Sequence, residues 1–208
     1  VSKFNFFTRR SLNIDVTHRC ALDCPRCQRW ASYRRYGKKV PGIDFTISQI
    51  KKIISFYNEL HFCGQYSDPV HHPKFIEILK LLREQRVSCS VHNASSTKSE
   101  DWYIKAFEAN PRAHWIFGID GLPEESRLYR INQDGEKLFN IMIKSKRYLI
   151  HKPTWQYIIF KYNQDHIEQA KQIANDNDIP IMFINSSRWW SNNDSYRPTI
   201  PELSFDKK

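Results

Sequence analysis

The sequence predicts an α/β protein folded as an open, partial barrel of the TIM type, about (β/α)6, around a parallel sheet. Three observations carry that expectation. Six short runs are rich in β-branched and aromatic residues. They alternate with five stretches whose apolar residues recur at helical spacing, the arrangement that gives parallel βαβ units. The chain has 208 residues, whereas a closed eight-unit barrel typically takes ~250, with ~200 near the minimum. Right-handed crossovers then curl the sheet in one sense.

The elements follow in order. Residues 12–16 (Leu-Asn-Ile-Asp-Val) read as a strand, followed by a cysteine-bearing loop. A helix is expected from Thr46, because Ile47, Ile50, Ile53 and Ile54 share one face and Thr46 or Asp44 stands at its cap. Residues 60–62 form a second strand, 72–84 a helix with Phe75, Ile78, Leu79 and Leu82 on one side, and 87–92 a third strand. A helix opens at Ser99 or Glu100 and runs to about Ala109, before an aromatic strand over 113–120. A helix over 135–150, a strand over 154–160, a helix over 165–177 and a strand over 181–184 complete the series. The core is thus expected over residues 1–188, with 189–208, which hold Pro198 and Pro201, as an irregular extension. In parallel α/β sheets the site lies at the C-terminal strand ends. The polar segments 17–27, 64–69 and 93–96, with Asp120 and Gly121, fall there.

Hydrophobic residues make up 40% and charged residues 26%, ordinary for a globular protein. No apolar run approaches the ~20 residues of a bilayer span, so no membrane association is expected. Lys3, Arg9 and Arg10 interrupt any signal-peptide pattern, and the first residue is Val. The net charge of +10 makes an acidic partner plausible, whether nucleic acid, phosphorylated substrate or electron-transfer protein. Its densest cluster, Arg26, Arg29, Arg34, Arg35, Lys38 and Lys39, follows the cysteines directly.

Cys20, Cys24 and Cys27 are tightly grouped, and Cys63 and Cys89 stand apart. An odd count with one dense group argues against a disulfide framework and for a reducing, cytoplasmic setting with a metal or cluster site. Three thiolates on one loop suit three corners of an iron–sulfur cube, with one iron left open. A zinc site completed by His18, Cys63 or Cys89 is the alternative, but structural zinc sites usually come as paired knuckles, and only one Cys-x2-Cys step is present. Cys63 and Cys89, on strands, read as small buried residues.

The Cys-x3-Cys-x2-Cys spacing after a first strand resembles the radical S-adenosylmethionine (SAM) superfamily. The stretch Phe62-Cys63-Gly64-Gln65-Tyr66-Ser67-Asp68-Pro69 looks like its glycine-rich turn ending in Glu-Pro or Asp-Pro. His92-Asn93-Ala94 resembles its Thr-Asn-Gly turn. Phe117-Gly118-Ile119-Asp120-Gly121, with Tyr129-Arg130 after it, resembles the Ser-Ile-Asp-Gly…Tyr-Arg stretch of the branch with peptide maturases and the molybdenum-cofactor cyclase. The likeness covers about residues 10 to 185. It implies a [4Fe–4S] cluster on Cys20, Cys24 and Cys27, and SAM bound by Gly64, Ser67, Asp68, Pro69, Asn93, Asp120 and Arg130. The turn would hold the methionine amino group, Arg130 would fork onto the carboxylate, and Asp120 would contact ribose or substrate. Gly118, Arg26 and Ala94 depart from the usual serine, aromatic and glycine.

The resemblance implies an enzyme that cleaves SAM reductively and removes hydrogen from a substrate, with a peptide, a nucleotide and RNA all open. An external reductant is then needed, and the basic segment after Cys27 is expected to dock an acidic flavodoxin or ferredoxin type donor. The other reading is a non-catalytic, basic nucleic-acid or partner-binding module on a degenerate barrel, with zinc or no metal. His71 and His72 read as a surface pair at a helix start. Lys161, Tyr162 and Asn163 are expected on the substrate side, and Arg188, Trp189 and Trp190 near the mouth.

Overall fold

The computed structural model describes residues 10–37, 42–186, 189 and 191–203. Six strands form one wholly parallel sheet in sequential order: β1 (Ser11–Ile14), β2 (Glu59–Phe62), β3 (Ser88–Asn93), β4 (His114–Gly118), β5 (Thr154–Ile159) and β6 (Ile181–Asn185). β1 pairs with β2 and β6 with β5, and neither pairs with the other, so the barrel is open. The expected partial barrel is the observed one.

The helices are α1 (Gln28–Tyr36), α2 (Ile47–Ile54), α3 (Phe75–Glu84), α4 (Glu100–Ala109), α5 (Gly135–Ser145) and α6 (Ile167–Asp176). Five match the periodic stretches. Three of the starts carry a side-chain cap. Thr46 and Gln49 close a capping box at α2, Ser99 caps α4 and Asp134 caps α5 through side-chain oxygens. The sixth, α1, lies where the sequence reads as loop. It has no buried residue, hence no apolar stripe to betray it, and Gly37 ends it in the left-handed conformation.

Strand alternation divides the sheet into two faces. Leu60, Phe62, Val91, Trp115, Phe117, Trp155 and Tyr157 point to the helices and build the core with Ile50, Phe75, Ile78, Tyr103 and Phe107. Trp115 stands among Phe75, Tyr103 and Phe107, with edge-on ring contacts of 4.9 to 6.4 Å. The opposite, concave face carries Cys63, His92, Ile116, Gln156 and Ile158. Alternation continues that face through His61, Ser90, His114 and Thr154. There His61 Nδ1 meets Ser90 Oγ at 2.8 Å and His114 Nε2 meets Thr154 Oγ1 at 2.9 Å. A closed barrel fills this space with branched aliphatics; here it is largely polar. Among the described residues, no helix is long and apolar enough to cross a membrane.

Candidate functional site

The C-terminal strand ends open onto a cavity of about 400 Å3, large enough for a small organic cofactor. Cys20, Cys24 and Cys27 line it, with Gly64, Ser67, Asp68, Asn93 and Arg130 across from them. Eight of the ten residues singled out from sequence therefore share one wall system. Pro69 and Asp120 stand behind it, buried and outside the lining.

The cysteine loop is shaped by its own sequence. Pro25 and Arg26 make a tight turn closed by the Cys27 amide donating to the Cys24 carbonyl at 3.1 Å. Cys27 is then the N-cap of α1. Arg29 donates to the Cys20 carbonyl at 3.3 Å and Arg34 to that of Pro25 at 2.8 Å, so part of the basic cluster ties down the loop. Arg35 and Tyr36 remain exposed on α1; Lys38 and Lys39 lie outside the described residues. Burial pushes the Cys20 thiol up to about 12, with the Asp68 carboxylate adding to the effect. The free thiol is thus protonated, and a metal that takes its thiolate must displace that proton.

The turn after β2 is fixed by Asp15, at the end of β1. Ser67 Oγ donates to Asp15 Oδ1 at 2.6 Å, and the Tyr66 amide donates to the same carboxylate. Gly64 has φ +60°, and a Cβ there would sit 2.9 Å from the Ser67 carbonyl. Asp68 is buried and ties two loops together. Its carboxylate accepts from the amides of Val70 (3.2 Å), Ala94 (2.8 Å) and Ser95 (2.9 Å). Burial nevertheless raises its pKa to about 6. Asn93 is committed in the same way, donating to the Tyr103 hydroxyl at 2.9 Å and accepting from the Ser95 amide at 3.1 Å.

Asp120 and Arg130 form a buried ion pair, Nε to Oδ2, of 2.8 Å. Asp120 Oδ1 also accepts the Ile158 amide at 2.9 Å, which joins the end of β4 to β5. Burial alone would lower the Arg130 pKa, but Asp120 beside it turns the net direction upward. Gly118 makes room for this pair: a Cβ there would lie 2.8 Å from Arg130 Nη2. Gln133, which sequence reasoning missed, spans the neighbouring strand ends by donating to the Ala94 carbonyl (2.6 Å) and the Gly118 carbonyl (2.9 Å). Ser126 donates to the Gln133 amide oxygen and accepts the Asp120 amide. Asp15, Ser126 and Gln133 are polar loop residues without periodicity, and nothing in the sequence marks them.

Three expectations are corrected. His71 and His72 are not a surface pair. His72 is buried, with Nε2 at 2.8 Å from the Phe45 carbonyl and Nδ1 accepting the Lys74 amide, while His71 meets Ser95 Oγ at 3.0 Å. Burial and the nearby Lys98 pull the His71 pKa down to about 4. Tyr162 and Asn163 are structural: Tyr162 donates to the Asp120 carbonyl at 2.5 Å, and Asn163 is buried against the backbone of Ile158 and Phe160. Cys63 is only half-buried and lines the cavity, whereas Cys89 is buried in the core. Arg26 turns away from the cavity. Arg188 and Trp190 lie outside the described residues.

The donor set does not converge on a single ion. Among the described residues, no three His, Cys, Asp or Glu side chains gather around one point as ligands of one metal. A tetrahedral zinc site needs its donors within ~2.3 Å of the ion. Cys20, Cys24 and Cys27 line one cavity, and three thiolates can take three corners of an iron–sulfur cube. The same cavity offers the Arg130 guanidinium and the backbone of the 64–68 turn, which suit the carboxylate and ammonium of an amino acid.

No family model matches the sequence, and no curated protein sequence matches it. Solved structures do match in shape. Streptococcus suis SuiB superposes with a TM-score of 0.67 at 10% identity over 90% of this chain and 42% of SuiB. Methylornithine synthase (PylB) superposes with a TM-score of 0.59 at 13% identity over 92% of this chain and 60% of PylB. Further SuiB structures that match hold its precursor peptide SuiA or S-adenosylmethionine. The chain thus spans less than two thirds of these proteins. The partial barrel described here has the fold that SuiB and PylB carry.

Proposed function

We propose that this chain is a radical SAM enzyme in which Cys20, Cys24 and Cys27 hold a [4Fe–4S] cluster and the cavity facing them takes S-adenosylmethionine. One observation carries the reading: three thiols, the 64–68 turn and Arg130 line a single cavity at the C-terminal strand ends. When bound, the cluster and SAM supply reductive cleavage of the sulfonium–carbon bond to methionine and a 5′-deoxyadenosyl radical that removes a hydrogen atom from substrate.

The chain's own residues do the positioning. Arg130, braced by Asp120, presents its guanidinium to the methionine carboxylate. Asp68 and Asn93 hold the turns after β2 and β3, so that backbone carbonyls there face the ammonium. Pro69 fixes the exit of that turn as the first residue of a short 3-10 segment. Asp120 serves as the brace of Arg130 and not as a ribose contact. Ile116, Ile158 and Ile184 give the cavity its apolar wall, and His92, Gln156 and Asn185 its polar side. A peptide is the favoured substrate class, supported by the precursor peptide bound to SuiB. The five cysteines, none disulfide-bonded, agree with a cytoplasmic setting.

The deciding experiment is anaerobic. The chain is reconstituted with iron and sulfide, given dithionite and SAM, and assayed for 5′-deoxyadenosine. Absorption near ~400 nm and SAM-dependent 5′-deoxyadenosine are expected. Stoichiometric zinc, with neither signal, would overturn the reading in favour of a non-catalytic binding module. An acidic flavodoxin or ferredoxin type donor would dock on the exposed face of α1, where Arg34 and Arg35 stand close to Cys27. Changing both to Glu should slow reduction by the protein donor and leave reduction by dithionite unchanged. Because Arg34 also holds the Pro25 carbonyl, equal slowing with both reductants would point to loop damage and sink the docking site.

A further inference from the structure

Arg26 sits between two cavity-lining cysteines, yet its side chain leaves the cavity. Its Nε lies 2.9 Å from Asp194 Oδ2, across a sequence separation of 168. The pair is largely shielded, with side-chain exposures of 17% for Arg26 and 2% for Asp194. The Arg26 guanidinium also lies 5.3 Å from the centroid of the Tyr196 ring, in cation–π range. Asp194 is set for this by its own turn: Oδ1 accepts the Tyr196 amide at 3.0 Å, and its carbonyl accepts the Arg197 amide at 3.0 Å.

The same segment is anchored to the barrel at two further places. The Lys161 amide, just past β5, donates to the Tyr196 carbonyl at 3.1 Å. Gln164 grips Thr199 twice, donating to its hydroxyl at 2.7 Å and accepting its amide at 2.8 Å. The Tyr196 ring meets Tyr129 edge-on at 5.2 Å, beside Arg130. The Tyr129 turn in turn holds the cysteine loop, through the Asp23 amide on the Ile131 carbonyl (3.1 Å) and Asn132 on the Ala21 carbonyl (3.2 Å).

We propose that residues 191–203 act as a strap that sets the cysteine loop through Arg26, so that Asp194 and Tyr196 are positioning residues for the cluster although neither lines its cavity. The inference rests on the cofactor reading above. Load runs from the end of β5, through Tyr196 and Asp194, to Arg26 and so to Cys24 and Cys27. Without Asp194, Arg26 loses its shielded charge-assisted contact to the strap, and the cysteine loop loses that tie.

The test uses the full chain with Asp194→Ala, Asp194→Asn, Arg26→Ala, the Arg26→Ala/Asp194→Ala double and Gln164→Ala. Gln164→Ala frees the far end of the strap without touching the loop. Two quantities are measured: amide hydrogen exchange in the iron-free chain, and iron release to a chelator after anaerobic reconstitution. The expected result is roughly tenfold faster exchange at residues 20–27 and roughly tenfold faster iron release in Asp194→Ala and Gln164→Ala, the scale for coupled contacts. Exchange in β3 and β4 stays as in the unaltered chain, and Asp194→Asn, which retains the Tyr196 contact, falls between. The double variant is no worse than Asp194→Ala. Loop exchange within twofold of the unaltered chain, additive single effects, or a silent Gln164→Ala would each overturn the strap. If the unaltered chain takes up no iron, the cofactor reading fails, and the exchange measurement alone decides the strap.

Discussion

Gly118 shows how much one missing side chain can decide. Its lack of a Cβ leaves space for the Arg130 guanidinium, which would otherwise meet that atom at 2.8 Å. Gly118→Ser should therefore push Arg130 off its brace and weaken SAM binding by about tenfold, since a charge-assisted contact is worth ~1.5 kcal/mol or more; calorimetric titration of the anaerobic holo-chain measures it. Asp68 and His71 make a second residue-scale case, with opposite signs. Burial raises Asp68 from 3.8 to about 6, so its contribution to stability is present below ~4 and is lost as pH rises through 6. Burial lowers His71 from 6.5 to about 4, so its contribution is present above 6.5 and is lost as pH falls toward 4. The two oppose each other across the same window. Asp68→Asn in the iron-free chain should make stability climb more steeply from pH 4 to 6.5 than in the unaltered chain, as read by urea unfolding at each pH. A slope unchanged from the unaltered chain would refute the raised Asp68 pKa. At this scale the sequence was legible where chemistry is dense: the cysteines, Asp68, Asn93 and Arg130 all reach the cavity. Asp15, Ser126 and Gln133 were not legible, because a buried hydrogen bond between loops leaves no local pattern.

Among elements, legibility followed burial. The helices α2 to α6 each bury one apolar stripe, and each was readable as a period of 3.6. Helix α1 has no fully buried residue and so no apolar stripe that marks it in the sequence, although Gly37 at its end is a stop signal. Its stability rests on Arg34 and on the turn at Cys27 and not on a core. Its amides should exchange with solvent far faster than those of α3, whose Phe75, Ile78, Leu79 and Leu82 are buried; hydrogen exchange resolved by mass spectrometry checks this. The caps also make a graded claim. Thr46→Ala removes the hydroxyl half of the α2 capping box, leaving the Gln49 side chain on the residue-46 amide, and should cost about 1 kcal/mol in urea unfolding, with SAM affinity unchanged.

The whole molecule adds what no single element shows. Sequential parallel order followed from the spacing of strands and helices, and openness followed from length, since six units cannot close a barrel that takes eight. The polar inner face did not follow in advance: His61, His92 and His114 look like ordinary strand residues until the register puts them on the concave side. The net charge of +10 also acts at this scale. Reduction by an acidic protein donor should slow severalfold between roughly 50 and 500 mM salt, as screening shortens the reach of the basic face. A stopped-flow salt series tests this, and a flat profile would exclude electrostatic docking.

The link between Arg26 and Asp194 also has a bearing on when the protein is finished. Each strand pairs with the one made just before it, so the sheet can grow as the chain emerges from the ribosome. The cysteine loop is made well ahead of the carboxylate that Arg26 meets, which arrives 168 residues later. A nascent chain therefore carries its three thiols on a loop that lacks this tie, more open to stray metals and oxidants, until residue 194 is in place. If the proposed cluster is loaded, iron that arrives before residue 194 is made would meet a seat without that tie.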